Sequence, residues 1–165
     1  MVKRVGPSNN VPEGIVVCVG GVVLEEGRIL LVRQARGHPL EKQWTIPWGL
    51  INPGEAPEAA ILREIEEEAG VEAEIEGLLG IQNLPDPWEG WIGIVFQCQH
   101  VSGIPKPDGE KETDRAGYFF LNEIASLEGE IEVWCKWLAR RVLIERKPFI
   151  SSEPNNPYEP KLAFL

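Results

Sequence analysis

Residues 49–71 read GLINPGEAPEAAILREIEEEAGV, and this stretch decides the fold of the chain. Between residues 57 and 69 the apolar side chains recur at helical spacing and share one face, which is formed by Ile61, Leu62, Ile65 and Ala69. Pro57 suits the first turn of a helix, and Gly70 suits the position just after its last turn. The sequence therefore predicts a helix over residues 57–69, entered through a loop rich in Pro and Gly.

A second face of this helix is acidic. Glu64, Glu67 and Glu68 fall within one arc of a helical wheel, whereas Glu66 points away toward solvent. Like charges three or four residues apart destabilise an isolated helix by roughly 0.2–0.5 kcal/mol per pair. A divalent cation would offset this repulsion, and hard Mg²⁺ or Mn²⁺ prefers clustered carboxylate oxygens. The alternative explanation of the same pattern is a solvated helix face without a metal.

The whole segment resembles the Nudix box. That pattern is a glycine, five residues, a glutamate, seven residues and then Arg-Glu-Ile-x-Glu-Glu-x-Gly-Val. Gly49, Glu55 and the run over residues 63–71 match every specified position. The strands before the box, and the order of strand and helix after it, are also similar to Nudix domains. The resemblance implies an α/β (α+β) Nudix fold, with a mixed β-sheet sandwiched between helices.

The resemblance also implies roles for the residues of the box. In the Nudix family the box glutamates bind catalytic metals, which implies that Glu64, Glu67 and Glu68 are ligands of Mg²⁺ or Mn²⁺. The family's arginine pairs with the box glutamates and orients them. Arg63 would thus support the site, Glu55 would brace the loop, and Gly49 would belong to the same supporting set.

Trp48 departs from the pattern, because many family members have glycine at this position. The carbonyl of that glycine is often a metal ligand in the family. Tryptophan keeps a carbonyl, so Trp48 can serve as a ligand if its backbone avoids the angles that favour glycine. Its indole has two alternative roles, stacking against a base or packing.

The chemistry implied is attack by a metal-activated water on a diphosphate. Its catalytic residues would be Glu67 and Glu68 of the box, together with a glutamate just before the last core strand. The offset from Tyr118 makes Glu112 the best match for that glutamate. Its neighbours Glu110 and Asp114 are further candidates. The base is therefore either a box glutamate such as Glu67 or the separate carboxylate of Glu112.

Substrate-binding candidates lie outside the box. Arg33 and Arg36 are candidates for bidentate phosphate binding, with surface ion pairs as the alternative. Trp88 and Trp91 are candidates for stacking on a nucleobase or ribose, with core packing as the alternative. His38 is interpreted as a surface loop residue.

The segment QNLPDPWEGW, over residues 82–91, is similar to a loop of ADP-ribose pyrophosphatases and, more faintly, of NADH pyrophosphatases. The expected substrate is a nucleoside diphosphate linked to another moiety, of the ADP-ribose, NADH or sugar-nucleotide type. One alternative is a nucleoside triphosphate pyrophosphatase that sanitises the nucleotide pool. Another is a noncatalytic module that senses nucleotides, which the complete set of box glutamates disfavours.

The whole-chain properties of these 165 residues predict one Nudix domain over residues 1–147 and an irregular tail over 148–165. A net charge of −10 argues against a long nucleic acid or an anionic membrane as partner. The start of the chain lacks a stretch like a signal peptide, so a cytoplasmic protein is expected. The spacing of Cys18, Cys98 and Cys135 favours reduced structural thiols. A homodimer is a further possibility that no motif decides.

Alternating or continuous apolar runs predict the remaining elements. Strands are expected at residues 15–24, 28–34, 44–47, 73–82, 91–101 and 116–120, and a second long helix at 131–146. Glu25, Glu26 and Gly27 make a hairpin-like break between the first two strands.

Overall fold

The computed structural model describes residues 15–84, 88–109, 111–127 and 129–145, and within these ranges seven strands form one sheet. The strands are β1 (Val16–Glu25), β2 (Arg28–Gln34), β3 (Trp44–Thr45), β4 (Trp48–Leu50), β5 (Val71–Asn83), β6 (Trp91–Gly103) and β7 (Thr113–Phe119). The helices are α1 (Pro57–Ala69), α2 (Leu121–Ala125) and α3 (Val133–Arg140), and α3 continues as a π-helical turn over Arg141–Glu145.

The sheet is mixed. Its main path runs β3-β2-β1-β6-β5, while β4 pairs with β1 and β7 pairs with β2. β1 and β6 are parallel, from the pair Val16 and Trp91 to the pair Leu24 and Gln99, whereas the other pairs are antiparallel. This arrangement places β4 and β7 where both can pack against α1.

The connection between β1 and β2 is as tight as the sequence predicts. Glu26 and Gly27 both have positive φ, at 48° and 79°. A two-residue hairpin with positive φ at both positions matches the right-handed twist of its strands. This turn sets the pairing of Glu25 with Arg28.

Helix α1 covers one face of the sheet. Ile61, Ile65 and Ala69 are fully buried there among side chains of β1, β2, β5 and β6. A Cβ at Gly21 would lie 2.8 Å from Ile65 Cδ1 and 3.0 Å from Ile61 Cδ1. A glycine in β1 therefore lets the helix approach the sheet closely. The apolar face predicted for this helix is confirmed, although Leu62 on that face is only half-buried.

Helices α2 and α3 cover the opposite face. Ile124, Cys135, Leu138 and Ala139 are buried there with Trp44 and Val22. The predicted architecture of a mixed sheet between helices is thus confirmed.

The three cysteines are buried, and each is a free thiol. Burial raises the pKa of Cys18 and of Cys98 to about 12, and it also raises the pKa of Cys135. The burial agrees with the structural role expected from the sequence.

Several predicted boundaries need correction. The loop expected after residue 47 contains the short strand β4, and helix α2 was not predicted at all. The last strand starts at Thr113 instead of residue 116, because the polar residues Thr113 and Arg115 pair with Gln34 and Arg33 of β2. The helix expected over 131–146 changes to π-helical geometry at Arg141.

Other predictions fall partly outside the described residues. The irregular tail at 148–165 lies outside them, as does Glu110. In the part of the chain that the structure describes, helices are too short or too polar to cross a bilayer.

Candidate active site

Three carboxylates converge beside the sheet. Glu64 and Glu68 lie one turn apart on α1, and Glu112 lies just before β7. One carboxylate oxygen from each residue can be chosen so that all three oxygens lie within 4.8 Å of one another. Glu64 is 3% exposed and Glu68 is 1% exposed, while Glu112 is half-buried. Two box glutamates and the loop glutamate predicted from its offset to Tyr118 therefore form one group.

Gly49 makes room for this group. It lies in β4, paired with Val19 of β1, and faces α1. A Cβ at this position would overlap the carboxylate of Glu64. A side chain at position 49 would therefore displace the carboxylate of Glu64 from the group. The φ angle of Gly49 is not in the left-handed region, so the reason for glycine is space and not backbone conformation.

Arg63 orients the surrounding carboxylates. Its Nη1 donates to Glu64 Oε1 at 2.7 Å, and its Nε and Nη2 donate to both oxygens of Glu55 at 2.8 and 3.0 Å. Nη2 also donates to the carbonyl of Leu50 at 3.0 Å. The guanidinium therefore ties the loop, β4 and the carboxylate group together.

The ion pair between Arg63 and Glu55 shifts the pKa of both groups. The hydrogen bonds from Arg63, together with the backbone N–H of Asn52, lower the pKa of Glu55 to about 2. The hydrogen bond to Glu55, followed by the contact with Glu64, raises the pKa of Arg63 above its ordinary value. Glu55 and Arg63 are accordingly both charged at physiological pH.

Glu68 is held from two sides. Its Oε2 accepts a hydrogen bond from the backbone N–H of Trp48 at 3.0 Å. Its backbone carbonyl accepts from the buried hydroxyl of Thr113 at 2.8 Å. These contacts tie α1 to β4 and to β7, so the position of the carboxylate follows from the sheet.

The backbone of Trp48 lies in strand β4 and has no positive φ. Trp48 therefore avoids the backbone angles that favour glycine, which is the condition for its carbonyl to act as a metal ligand. Ligation by its carbonyl remains a prediction.

An aspartate missed by the sequence reasoning shapes the loop that carries Glu112. The carboxylate of Asp108 accepts hydrogen bonds from the backbone N–H groups of Lys111, Glu112 and Thr113, at 3.0–3.2 Å. The N–H of Ala35 donates to the carbonyl of Glu112 at 2.8 Å. The dipeptide Asp108-Gly109 is a turn signal that could have identified this loop.

Glu67 does not join the three-carboxylate group. Its side chain is 60% exposed, and its carboxylate accepts from Arg63 Nη1 at 3.1 Å. The same helical turn that brings Glu64 and Glu68 inward leaves Glu67 at the rim. Its predicted role as ligand and catalyst stays a prediction.

The three-carboxylate group fits a hard divalent cation. Two like charges about 5 Å apart repel by roughly 3 kcal/mol at an effective dielectric constant near 20. A cation between the carboxylates would remove this repulsion, and an all-oxygen donor set is the one that Mg²⁺ and Mn²⁺ prefer. Because the Glu64 carboxylate occupies the space that a Cβ at Gly49 would take, glycine at this position allows Glu64 to join the group.

A cleft of about 330 Å³ opens beside Glu112. Its walls include two cationic side chains, Arg36 and Lys111, and two aromatic ones, Trp88 and Trp91. His38 and Trp48 also line it, so His38 contributes to the cleft and not merely to an outer loop. Arg36, Trp88 and Trp91 thus line this cleft, and their contact with a substrate stays a prediction.

Arg33 has a different environment. Its guanidinium forms two hydrogen bonds to Asp114, from Nε at 2.7 Å and from Nη2 at 2.8 Å. The hydrogen bond from Arg33 lowers the pKa of Asp114, and the same bond raises the pKa of Arg33. This pair joins β2 to β7 and matches the ion-pair alternative for Arg33, whose phosphate contact stays a prediction.

This chain is similar to known proteins in sequence. Residues 14–146 match a family model described as NUDIX domain. An ADP-ribose pyrophosphatase of Methanocaldococcus jannaschii is 32% identical over 128 residues, which are 73% of this chain and 73% of that protein. The NAD-capped RNA hydrolase NudC of Pseudomonas aeruginosa is 31% identical over 109 residues, which are 66% of this chain and 37% of that protein.

A solved structure is also similar. The crystal structure of a MutT NUDIX hydrolase from Burkholderia pseudomallei matches with a TM-score of 0.60 and 31% sequence identity. The match covers 67% of this chain and 86% of that chain.

Proposed function

Because this chain belongs to the NUDIX family, we propose that it hydrolyses the diphosphate linkage of a nucleoside diphosphate joined to another moiety. As a Nudix pyrophosphohydrolase it acts on phosphoanhydride bonds. The proposed substrate class comprises ADP-ribose, NADH and sugar nucleotides. The names of the archaeal ADP-ribose pyrophosphatase and of the bacterial NAD-capped RNA hydrolase support this class.

The observation that carries the proposal is the convergence of Glu64, Glu68 and Glu112 beside a cleft with a cationic rim. Glu64 and Glu68 are proposed to hold Mg²⁺ or Mn²⁺, with the carbonyl of Trp48 as a further ligand. A divalent cation bound there would neutralise the diphosphate and lower the pKa of a water molecule. Arg36 and Lys111, which also line the cleft, would bind the phosphate oxygens.

The remaining box residues would position the ligands. Arg63 holds Glu64 through one hydrogen bond and is itself held by Glu55 through two. Residues that orient a metal ligand typically change activity by about 10–100-fold when replaced. Gly49 provides the space in which Glu64 adopts this orientation.

Glu112 is proposed as the general base. It is half-buried, its loop is fixed by Asp108, and its carboxylate lines the cleft. A positioned base of this kind contributes typically about 10²–10⁴-fold to the rate. Glu67, which lies at the exposed rim one residue before Glu68, is retained as the alternative base and as a further ligand.

The test is a substrate panel assayed with Mg²⁺ or Mn²⁺. It contains ADP-ribose, NADH, a sugar nucleotide, a dinucleoside polyphosphate and nucleoside triphosphates. Hydrolysis of diphosphate-linked substrates to two monophosphates is expected. Release of pyrophosphate from triphosphates in preference would favour nucleotide-pool sanitation, and binding without any turnover would favour a sensor module.

Four substitutions assign the roles of the carboxylates. Glu64→Gln and Glu68→Gln should each lower kcat/KM at least about 100-fold and weaken Mn²⁺ binding measured by calorimetry. Glu112→Gln should lower kcat by about 10²–10⁴-fold. Glu66→Gln, on the exposed face of the same helix, is the matched control and should retain wild-type kinetics.

Glu67→Gln separates the two candidates for the base. If kcat falls by about 10²–10⁴-fold in Glu67→Gln while Glu112→Gln keeps a kcat near that of the wild type, the base is Glu67. Undiminished turnover in both Glu64→Gln and Glu68→Gln would contradict the proposed site.

A further inference from the structure

Thr113 bridges helix α1 and the segment that carries Glu112. Its side chain is fully buried, at the start of β7. The hydroxyl donates to the backbone carbonyl of Glu68 at 2.8 Å, and the same oxygen accepts from the backbone N–H of Asp108 at 3.2 Å. One hydroxyl therefore contacts the helix that supplies two of the three converging carboxylates and the loop that supplies the third.

The hydrogen bond to Glu68 satisfies a carbonyl at the end of α1. The last four carbonyls of an α-helix have no partner within the helix, and Glu68 lies one residue before the last residue of α1. Buried carbonyls are almost always hydrogen-bonded, and the hydroxyl of Thr113 supplies a donor for this one. The end of α1 is thereby joined to β7 at the residue next to Glu112.

The backbone of Glu112 is held on both sides. Its N–H donates to the carboxylate of Asp108 at 3.0 Å, and its carbonyl accepts from the N–H of Ala35 at 2.8 Å. Asp108 and Thr113 also hold each other, because the N–H of Thr113 donates to Asp108 Oδ1 at 3.1 Å while the N–H of Asp108 donates to the hydroxyl. The position of Glu112 therefore depends on where Thr113 is fixed.

A β-bulge follows Thr113. Thr113 pairs with Gln34 and Arg115 pairs with Arg33, so Asp114 is an extra residue between these two pairs. Bulges next to active sites re-aim side chains. Arg33 donates two hydrogen bonds to the carboxylate of Asp114 and so holds the extra residue in place. The bulge lets the hydroxyl of Thr113 contact α1 while the strand continues its pairing with β2.

We propose that Thr113 is a positioning residue for hydrolysis and that its hydroxyl sets the location of the Glu112 carboxylate relative to Glu68. The inference rests on the proposed function, in which Glu112 is the general base and Glu68 is a metal ligand. A general base must lie within hydrogen-bond reach of the water that it deprotonates, and a displacement of about 1 Å can cost about 100-fold in rate. Because its side chain is fully buried, Thr113 acts through Glu112 and not by contact with the substrate.

The test replaces the hydroxyl by a methyl group. Thr113→Val should lower kcat by about 10–100-fold, because Glu112 is no longer held at the correct distance from the metal-bound water. KM and the calorimetric affinity for Mn²⁺ should stay near those of the wild type, since the apolar face of α1 still anchors Glu64 and Glu68. Thr113→Ser keeps the hydroxyl and should restore most of the lost kcat.

Thr45→Val is the matched control. Thr45 is also a buried threonine, and its hydroxyl oxygen accepts from Gln34 Nε2 at 2.9 Å. Loss of this hydroxyl should lower the thermal midpoint of unfolding and leave kcat unchanged. If Thr113 has only a structural role, Thr113→Val will behave in the same way. A lowered midpoint with wild-type kcat in both variants would therefore overturn the inference.

A double substitution tests whether Thr113 acts through Glu112. In the Glu112→Gln background, Thr113→Val should cause little further loss of kcat, because the group that it positions is already inactive. The full loss of kcat in that background would overturn the inference and leave the proposed function intact. Absence of hydrolysis by the wild type across the substrate panel would overturn the proposed function instead.

Asp108→Ala keeps the inference testable if Thr113→Val does not fold. Asp108 is half-buried, and its carboxylate holds the backbone of Glu112 from the side opposite Ala35. Removal of this carboxylate should lower kcat in the wild-type background and have little effect in the Glu112→Gln background. A wild-type kcat in Asp108→Ala would show that Glu112 does not depend on these contacts and would overturn the inference.

Discussion

At Gly49 the backbone comes close to the carboxylate of Glu64. Any side chain there would displace the carboxylate of Glu64, because the two would occupy the same space. We expect Gly49→Ala to lower kcat/KM by at least about tenfold, through a misplaced ligand and not through backbone strain. Steady-state kinetics and Mn²⁺ calorimetry measure the effect.

Gly117→Ala is the matched control for that substitution. A Cβ at Gly117 would make an ordinary contact, 3.6 Å from the ring of Phe119. Kinetics of Gly49→Ala equal to those of Gly117→Ala would show that the space beside Glu64 is not needed.

Glu55 gives a pH dependence of stability. Its pKa is about 2 in the folded protein, below the ordinary value of 4.5, mainly because Arg63 donates to it. A lowered pKa contributes stability that is present above pH 4.5 and is lost as the pH falls toward 2. The difference in free energy of unfolding between wild type and Glu55→Gln should therefore shrink from pH 6 to pH 3. Urea denaturation followed by tryptophan fluorescence tests this, and a difference that stays constant over that range would contradict it.

At the scale of elements, α1 combines the core and the site. One face buries Ile61 and Ile65 against the sheet, and the next face supplies Glu64 and Glu68. The burial of the apolar face thus fixes where the carboxylates point, since a helix is rigid over a single turn. Packing of the apolar face of α1 therefore holds Glu64 and Glu68 in buried positions despite the repulsion between their carboxylates.

Truncating Ile65 should disturb both properties of α1. We expect Ile65→Ala to destabilise the fold by about 2–5 kcal/mol, because it leaves a cavity between the helix and the sheet. Glu66→Ala, at the neighbouring exposed position, should change stability by no more than about 0.5 kcal/mol. Chemical denaturation of the two variants makes the comparison, and similar losses in both would mean that α1 is not anchored through Ile65.

At the scale of the whole molecule, the core uses residues from β1 to the π-helical turn at 141–145. We therefore propose that residues 1–147 form the folding unit. A chain ending at residue 147 should unfold cooperatively, with a thermal midpoint close to that of the full chain, and should keep its kcat. Calorimetry and kinetics of the two chains test this proposal. Loss of the cooperative transition on removal of residues 148–165 would place part of the tail in the domain.

The acidic balance of the molecule also constrains the site. With a net charge of −10, the surface repels polyanions unless cations act locally. Arg36 and Lys111 at the cleft, together with the proposed metal, would supply the opposite charge where a diphosphate lies.

The sequence by itself determined helix α1 to the residue, the tight hairpin between β1 and β2, and the mixed sheet between helices. The helix and the hairpin follow from periodicity and turn residues within a single stretch of chain, and the sheet between helices follows from the resemblance of a long motif to a known family. The same motif supplied Glu64, Glu68 and the pairing of Arg63 with Glu55.

The tertiary structure alone decided which acidic residues meet. Glu112 joins Glu64 and Glu68 because β7 pairs with β2 and packs against α1, and this contact joins segments more than forty residues apart. The same packing left Glu67 at the rim and paired Arg33 with Asp114. The strand β4 also depends on a contact between distant segments, because it pairs with β1, so periodicity along the chain carries no signal for it.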